Sequence, residues 1–418
     1  MADHEKESKQ KEEKIGNNFI FSKEKVNVGL QPEFEYLKTF NILVMVLQHV
    51  YENYSRDNFS SIIDFLGFIL GADSFMILMG IGMRYSKHNE PSRYLSRGIL
   101  LLTQGQYINL LRNALPNLIA WWATGKKKFI SRSMLVFQVD ILMFAGISFL
   151  LLALMKKMKL SDNFILAIGI IMNIFAFLVY NIMKPPKNFL LSQFLGFFVL
   201  TDAEAYFPLC SYFVFVAFGY WLGEIYQKIS NKDKFYNLIL IFCLPTSFIY
   251  YYFRSHYNFP MFPLCGSNEH YVLFPGPDAI ASCLVKLTSF AIMYKIDKIL
   301  KGKTPYFIIH SGKNLNQYYM ISYISTIQIS TFLRATIGEE YPSKMKYPTI
   351  FAIMILVFCK ITIDINDKYI HFTFTTMKNP MRNYVFILVW IMTIISVIYI
   401  YPKVEAYTTF WNKYLYET

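Results

Sequence analysis

The chain has 418 residues, of which 54% are hydrophobic, 18% aromatic and only 17% charged, and its formal net charge is +13. Soluble domains carry about 25% charged residues, so this composition excludes an ordinary soluble domain and indicates a membrane protein. Apolar runs of about 18 residues or more, long enough to cross a hydrocarbon core of about 30 Å, recur along the whole sequence. They predict an all-α, polytopic bundle of transmembrane helices.

The predicted spans follow one another from one end of the chain to the other. The stretch SQFLGFFVL at 192–200 is too short to cross and is expected to be an interfacial or re-entrant piece. Comparing apolar runs with the polar breaks between them places about eleven spans. They lie near 37–54, 62–83, 97–121, 134–155, 163–183, 206–226, 235–253, 277–298, 305–333, 348–365 and 383–401.

The polar ends of the chain predict its domain organisation. Residues 1–34 are expected to be a flexible cytoplasmic tail, because they begin with MADHEKESKQKEEKIGNN, which is almost without apolar residues. Residues 35–403 form the predicted transmembrane domain, and 404–418 a short external tail. The protein is expected in the cell membrane with its N-terminus in the cytoplasm. Basic residues favour this orientation only slightly, because the run GKKKFISR at 125–132 then lies outside.

The first predicted span carries three ionisable side chains near one face. In EYLKTFNILVMVLQHV, Glu35 and Lys38 are three residues apart, and Lys38 and His49 are eleven apart, which is close to three whole turns. Glu52 and Asn53 follow His49 closely enough to fix its tautomer. Two interpretations stay open. The set is either inert and interfacial, or it lies inside the membrane, where ionisable residues are costly and usually functional.

Further polar side chains lie in later spans. Asp73 and Asp140 are flanked by apolar residues, so each needs a partner. Asp140 is expected to pair with a basic residue of the third span, and a structural ion pair between helices is the simpler account for both. His310, Asn314 and Tyr318 share one face at the start of the ninth span. They either line a tunnel or form hydrogen bonds between helices.

The sequence lacks the short motifs of several large enzyme classes. It contains no Walker loop, dinucleotide fingerprint, G-x-S-x-G elbow or H-E-x-x-H zinc motif. The five cysteines are scattered, so neither a disulfide framework nor a metal site is expected. Any chemistry must therefore come from polar residues inside the bundle.

The spacing Glu35-x-x-Lys38-x10-His49 resembles the first-helix signature of the integral-membrane acyltransferases, Asp-x-x-Arg-x10-His. Glutamate in place of aspartate and lysine in place of arginine keep the charge pattern, although lysine cannot make the bidentate contacts of arginine. Later segments resemble, in order, the branch that contains heparan-glucosaminide N-acetyltransferase and its bacterial relatives. These segments are GADSFMILMGIGMRYSK, SRGILLLTQGQYINLLRNALPN, VFQVDILMFAGISFL, YFPLCSYFVFVAFGYWLGE and HSGKNLNQYYMISYI.

The resemblance implies transfer of an acyl group, commonly acetyl from acetyl-CoA, to a hydroxyl or amine of a sugar, polysaccharide or glycolipid. His49 would act as base or acyl carrier, and Lys38 and Glu35 are the other two candidate catalytic residues. The phosphates of coenzyme A need cationic partners at a cytoplasmic mouth. The candidate donor-binding residues are Arg84, Arg93, Arg97, Arg112, Asn314 and Tyr318. Membrane lipid is an expected partner, whereas nucleic acid is not. No metal ion is expected, and the sequence does not decide whether the chain forms a homodimer.

Two other functions are compatible with the same residues. A transporter or flippase for a carbohydrate or lipid-linked substrate also places polar groups inside a bundle. A glycosyltransferase with a lipid-phosphate donor should carry paired acids in the first external loop, where Glu52, Asp57 and Asp64 are only loosely spaced. Turnover of acetyl-CoA by the purified protein separates the acyltransferase from both.

Overall fold

The fold is a bundle of α-helices. The computed structural model describes residues 19–87, 89–182, 189–199, 206–256, 276–370 and 381–405. Within these ranges there is no strand, and Phe21 and Ile229 form an isolated antiparallel bridge. Seven helices of the described part are long and apolar enough to cross a membrane, by length and composition. The predicted all-α polytopic bundle is therefore confirmed. The seven are Ser60–Tyr85, Asp162–Val179, Leu209–Gln227, Lys232–Arg254, Gly276–Ile299, Pro348–Ile370 and Met381–Lys403.

The helices follow the predicted spans in order. Each predicted span contains one helix or two consecutive ones, and the short helix α9 falls on the stretch expected to be too short to cross. The helices are α1 (Pro32–Asn53), α2 (Ser60–Leu70), α3 (Ala72–Tyr85), α4 (Pro91–Asn109), α5 (Leu115–Thr124), α6 (Lys127–Ser133), α7 (Ile141–Lys157), α8 (Asp162–Ile182), α9 (Phe189–Gly196), α10 (Leu209–Gln227), α11 (Lys232–His256), α12 (Gly276–Ile299), α13 (Tyr306–Lys313), α14 (Leu315–Thr336), α15 (Pro348–Ile365) and α16 (Met381–Glu405).

The fourth predicted span begins later than the sequence indicated. Its helix, α7, starts at Ile141 because Asp140 caps it: the carboxylate accepts hydrogen bonds from the main-chain nitrogens of Leu142 (3.1 Å) and Met143 (3.0 Å). The apolar residues 134–137, a short 3₁₀ turn, made the run appear continuous. The predicted start at 134 is wrong for that reason.

Part of the predicted N-terminal tail lies against the turn that follows α10. The main-chain nitrogen of Ser22 donates to the oxygen of Lys228 (2.7 Å), and that of Val26 donates to the oxygen of Gln227 (2.8 Å). Residues 1–18 of this tail, and 406–418 of the predicted external tail, lie outside the described residues. The described end of the tail is thus attached to the bundle.

Glycine contacts bring the backbones of α3 and α10 together. A Cβ atom on Gly80 would collide with the main-chain oxygen of Val216, and one on Gly219 would collide with that of Ile77. Small residues of this kind let membrane helices approach closely. Together with the buried aromatic side chains of α10, they hold α3 firmly in the bundle.

A break at Gly71 divides the second predicted span into α2 and α3. The fully buried Lys286 of α12 donates to the main-chain oxygens of Phe68 (2.7 Å) and Ile69 (2.9 Å), just before the break. Its Nζ also lies 3.1 Å from Oδ1 of Asp73, just after the break. The structural ion pair expected for Asp73 is confirmed. One lysine therefore bonds to carbonyls near the end of one helix and to an acid at the start of the next.

We expect Lys286→Met to lower the free energy of unfolding by about 3–5 kcal/mol, because the Asp73 carboxylate would stay buried without its cation. A double variant, Lys286→Met with Asp73→Asn, removes that charge and should recover a large part of the loss. Thermal unfolding of the purified variants in detergent measures both effects. A Lys286→Met variant as stable as the wild type would contradict the role given to this pair.

Glu339, in the loop after α14, links that loop to the basic run that contains α6. Its carboxylate lies 2.7 Å from Nη1 of Arg132, 3.4 Å from Nζ of Lys128 and 3.7 Å from Nη1 of Arg334. Partial burial alone would raise the pKa of Glu339, but the positive charges, above all that of Arg132, outweigh burial and hold the pKa below its ordinary value. The ion pairs therefore stabilise the folded chain at neutral pH.

Glu339→Gln should lower the melting temperature by a few degrees at pH 7, and the difference should vanish in acid. A lowered folded pKa gives stability that is present above the unfolded pKa, about 4.3 for glutamate, and is lost as pH falls through the folded value. Melting curves of both proteins between pH 7 and pH 3 measure this. A difference that stays constant across the range would show that the charge of Glu339 is not involved.

Candidate active site

Two adjoining cavities lie along α1. The first has a volume of about 290 Å³ and includes Lys38 in its wall. The second has a volume of about 140 Å³ and includes His49. Four wall residues are common to both cavities: Met45, Phe75, Ile141 and Tyr319. A single helix thus carries Lys38 and His49 along one passage, about 16 Å apart at 1.5 Å per residue.

Cationic side chains collect at the first cavity. Lys38, Arg97 and Lys313 all line it. A third cavity of about 300 Å³ adjoins it through Arg97 and adds Arg93 to the wall. The passage is therefore positively charged at the end that carries Lys38, which suits a phosphate-bearing ligand.

The ion pair between Glu35 and Lys38 holds the ammonium group at the cavity wall. Nζ of Lys38 donates to Oε1 of Glu35 at 2.6 Å. The carboxylate is buried against α13, where Gly312 leaves room for it, since a Cβ there would collide with Oε2 of Glu35. This second oxygen has no hydrogen-bond partner among the described residues. The sequence spacing thus corresponds to a real contact.

His49 lies in the wall of the second cavity and is held by aromatic contacts. Its ring stacks on Tyr323, with the centroids 4.1 Å apart and 15° between the planes, and it meets the ring of Tyr319 at 6.2 Å. No described residue forms a hydrogen bond with its buried Nδ1. The amide nitrogen of Asn53 donates to the main-chain oxygen of His49 at 2.8 Å. Asn53 therefore holds the helix backbone rather than the ring, while Glu52 lines the same cavity as the ring.

A buried ion pair lies behind these aromatic rings. Arg112 is fully buried, and its Cζ lies 4.0 Å from the centroid of the Tyr323 ring. Its Nη2 is 3.5 Å from Oδ2 of Asp140, which also accepts a hydrogen bond from the hydroxyl of Tyr319 at 3.1 Å. The expected pairing of Asp140 with a base of the third span is confirmed. The pair fixes both tyrosines that contact His49.

The four predicted donor-binding arginines fall into two groups. Arg93 and Arg97 line cavities, as described above. Arg112 is instead enclosed by protein, and its Nη2 also donates to amide oxygens of neighbouring residues. Arg84 donates to Glu224 at 2.6 and 2.9 Å and lies 3.0 Å from Asp162. Acidic partners therefore hold both Arg84 and Arg112, and neither arginine is a wall residue of the three cavities, although Asp140 lines the second.

The other two predicted donor-binding residues, Asn314 just before α14 and Tyr318 on α14, are not among the wall residues of the cavities. Nδ2 of Asn314 is 3.3 Å from Oδ2 of Asp367, and His310 Nε2 lies 3.2 Å from the same oxygen. Tyr318 is buried in an apolar cluster with α1 and α15. The neighbouring face of the same helix supplies the wall instead, through Asn316, Tyr319 and Tyr323. The cavities therefore meet a face of α14 next to the one that carries Tyr318.

Asn41 is a wall residue that the sequence reasoning missed. It lies one turn after Lys38 on α1, is only 2% exposed, and lines the second cavity. The sequence did indicate this residue, because Asn41 is a polar residue in an apolar run and lies on the side of the helix that carries the charged residues. Among the described residues, no group of three or more His, Cys, Asp or Glu side chains is placed to hold a metal ion.

An all-α polytopic bundle with two adjoining cavities along its first helix defines a multi-pass membrane protein with an internal passage. A family model described as "Heparan-alpha-glucosaminide N-acetyltransferase, catalytic" matches residues 32–255. The match covers more than half of the chain and starts at the first residue of α1, so the chain belongs to this family of membrane acetyltransferases. No curated protein and no solved structure matches the chain.

Proposed function

We propose that the protein transfers an acetyl group from acetyl-CoA to an amine or hydroxyl of a sugar-containing acceptor. The observation that carries this proposal is the passage along α1, with cations at one end and the imidazole of His49 at the other. Acetyl-CoA has the same order of groups, with phosphates at one end and the thioester at the other. The family membership of the chain supports acetyl transfer independently.

His49 is the proposed general base. As the acceptor nitrogen or oxygen attacks the thioester carbonyl, its proton passes to the imidazole, the new C–N or C–O bond forms, and the C–S bond breaks to release the coenzyme A thiolate. The thioester is already activated, so a positioned base is the main requirement. The stack on Tyr323 fixes the ring, and Nδ1 has no described partner that would compete.

The donor phosphates are proposed to bind at Lys38, Arg97 and Lys313, with Arg93 in the adjoining cavity. Arg84 and Arg112 are less suitable, because neither of them is a wall residue of the three cavities. Acetyl-CoA is made in the cytoplasm, so this end of α1 would open to the cytoplasm together with the N-terminus. His49 would then lie nearer the far side, where a sugar, polysaccharide or glycolipid acceptor enters through the second cavity.

His49→Ala should lower kcat by about 10²–10⁴-fold, because removal of a general base costs that much. The melting temperature should change little, since the ring lies at a cavity wall. His310→Ala is the matched control, because His310 lies outside the cavity walls and should retain activity. Transfer of radiolabelled acetyl groups from acetyl-CoA to an amino sugar, with purified protein in detergent, measures turnover. His49→Ala activity within a few-fold of wild type would exclude the base role.

Arg97→Ala should weaken coenzyme A binding, and the loss should shrink at high salt, because screening already weakens the wild-type contact. Calorimetry at low and high ionic strength measures the dissociation constants. Lys344→Ala is a suitable surface control, because Lys344 is exposed and pairs only with Glu340 among the described residues. Equal affinity in wild type and Arg97→Ala would remove Arg97 from the donor site.

An acyltransferase and a transporter are expected to behave differently when the purified wild-type protein is given acetyl-CoA or a labelled carbohydrate. The acyltransferase releases coenzyme A thiol in detergent, where no membrane separates two compartments. A transporter shows no such release, but moves a labelled carbohydrate into sealed proteoliposomes. Vesicle uptake without thiol release would overturn the proposed function.

A further inference from the structure

The side chain of Asn41 is buried in the passage without a protein partner. It is 2% exposed, and neither its Nδ2 nor its Oδ1 has a hydrogen-bond partner among the described residues. A buried amide without hydrogen bonds is costly, and native structures rarely leave one unbonded. Because Asn41 lines the second cavity, a ligand that enters the cavity can supply both missing bonds.

The chemistry of the side chain restricts that ligand. A carboxamide offers one acceptor oxygen and a donor nitrogen side by side, so its complement presents a donor and an acceptor in the same way. A secondary amide has this arrangement. The wall of this cavity combines apolar side chains, such as Val44, Met45 and Phe75, with polar ones, such as Gln48. A chain of methylene groups interrupted by amides therefore suits this part of the passage.

We infer that Asn41 binds an amide of the pantetheine arm of the donor, the one nearer to the phosphates. This inference rests on the proposed function. The pantetheine arm carries two secondary amides between its phosphates and its thioester. Asn41 is three residues from Lys38 and eight from His49, so along α1 it lies about 4.5 Å from the first and about 12 Å from the second. The order of groups on the helix then matches the order of groups on the donor.

The position of Asn41 argues against a direct part in the chemistry. The reacting carbonyl has to lie against His49, which is more than two turns further along α1. Asn41 would therefore strengthen donor binding without stabilising the charge that develops on the carbonyl. The acceptor, which enters at the far end of the second cavity in the proposed arrangement, would not contact it either.

The test compares two ligands, coenzyme A and adenosine 3′,5′-bisphosphate, which keeps nucleotide phosphates but lacks the pantetheine arm. Asn41→Leu keeps the approximate shape of the side chain and removes both hydrogen bonds. We expect about tenfold weaker coenzyme A binding, since both hydrogen bonds to the donor amide are lost. Binding of the bisphosphate should stay within twofold of wild type. Arg97→Ala should weaken the binding of both ligands.

Thermal unfolding supplies a second readout. Without ligand, Asn41→Leu should melt at the same temperature as wild type or higher, because it removes buried polar atoms that have no described partner. The rise in melting temperature on adding coenzyme A should be smaller in the variant. Asn163→Leu is the matched control: its carboxamide accepts a hydrogen bond from Trp221 away from the cavities, and it should bind coenzyme A as wild type does.

Other outcomes would overturn the inference in distinguishable ways. A fall in kcat with unchanged coenzyme A affinity would place Asn41 at the reacting carbonyl, and a change confined to the KM of the acceptor would place it at the acceptor. A lower melting temperature of the unliganded variant would make Asn41 structural. Wild-type protein that neither binds coenzyme A nor turns over acetyl-CoA would instead reject the proposed function itself, and the inference with it.

Discussion

The buried ion pair between Arg112 and Asp140 is the interaction on which the candidate site depends. Asp140 caps α7 and accepts a hydrogen bond from Tyr319, while the guanidinium of Arg112 lies over the ring of Tyr323. Removing one partner of such a pair leaves an uncompensated buried charge, which costs about 3–5 kcal/mol. The pair fixes two tyrosines from α14 against His49, so the position of the imidazole follows from contacts between several helices.

Helix positions and contacts within one helix could be predicted from the sequence, because both depend on local patterns. The spacing of Glu35 and Lys38 predicted their contact, and the apolar setting of Asp140 predicted its need for a base. Contacts between distant helices were less accessible. Nothing near Gly71 in the sequence indicates that Lys286 would bond to the carbonyls beside it, and α14 shows polar residues on two faces, of which only one meets the cavities.

The site extends beyond the part of the chain that matches the family. Residues 32–255 contain α1, with Lys38, Asn41 and His49, as well as the Arg112–Asp140 pair. Tyr319 and Tyr323 come from α14, which follows the matched region, and so does Lys313 at the first cavity. His49 is thus positioned by a later helix, and a chain ending at the matched boundary would lack one wall of both cavities.

The most direct test of this account is a cryo-EM structure of the protein with a thioether analogue of acetyl-CoA that cannot be cleaved. The account predicts density along α1, with the phosphates beside Lys38 and Arg97, the pantetheine arm passing Asn41, and the carbonyl in the second cavity, with room for the acceptor between it and the imidazole of His49. An analogue bound outside the two cavities, or one with its phosphates beside His49 and its carbonyl beside Lys38, would contradict the account.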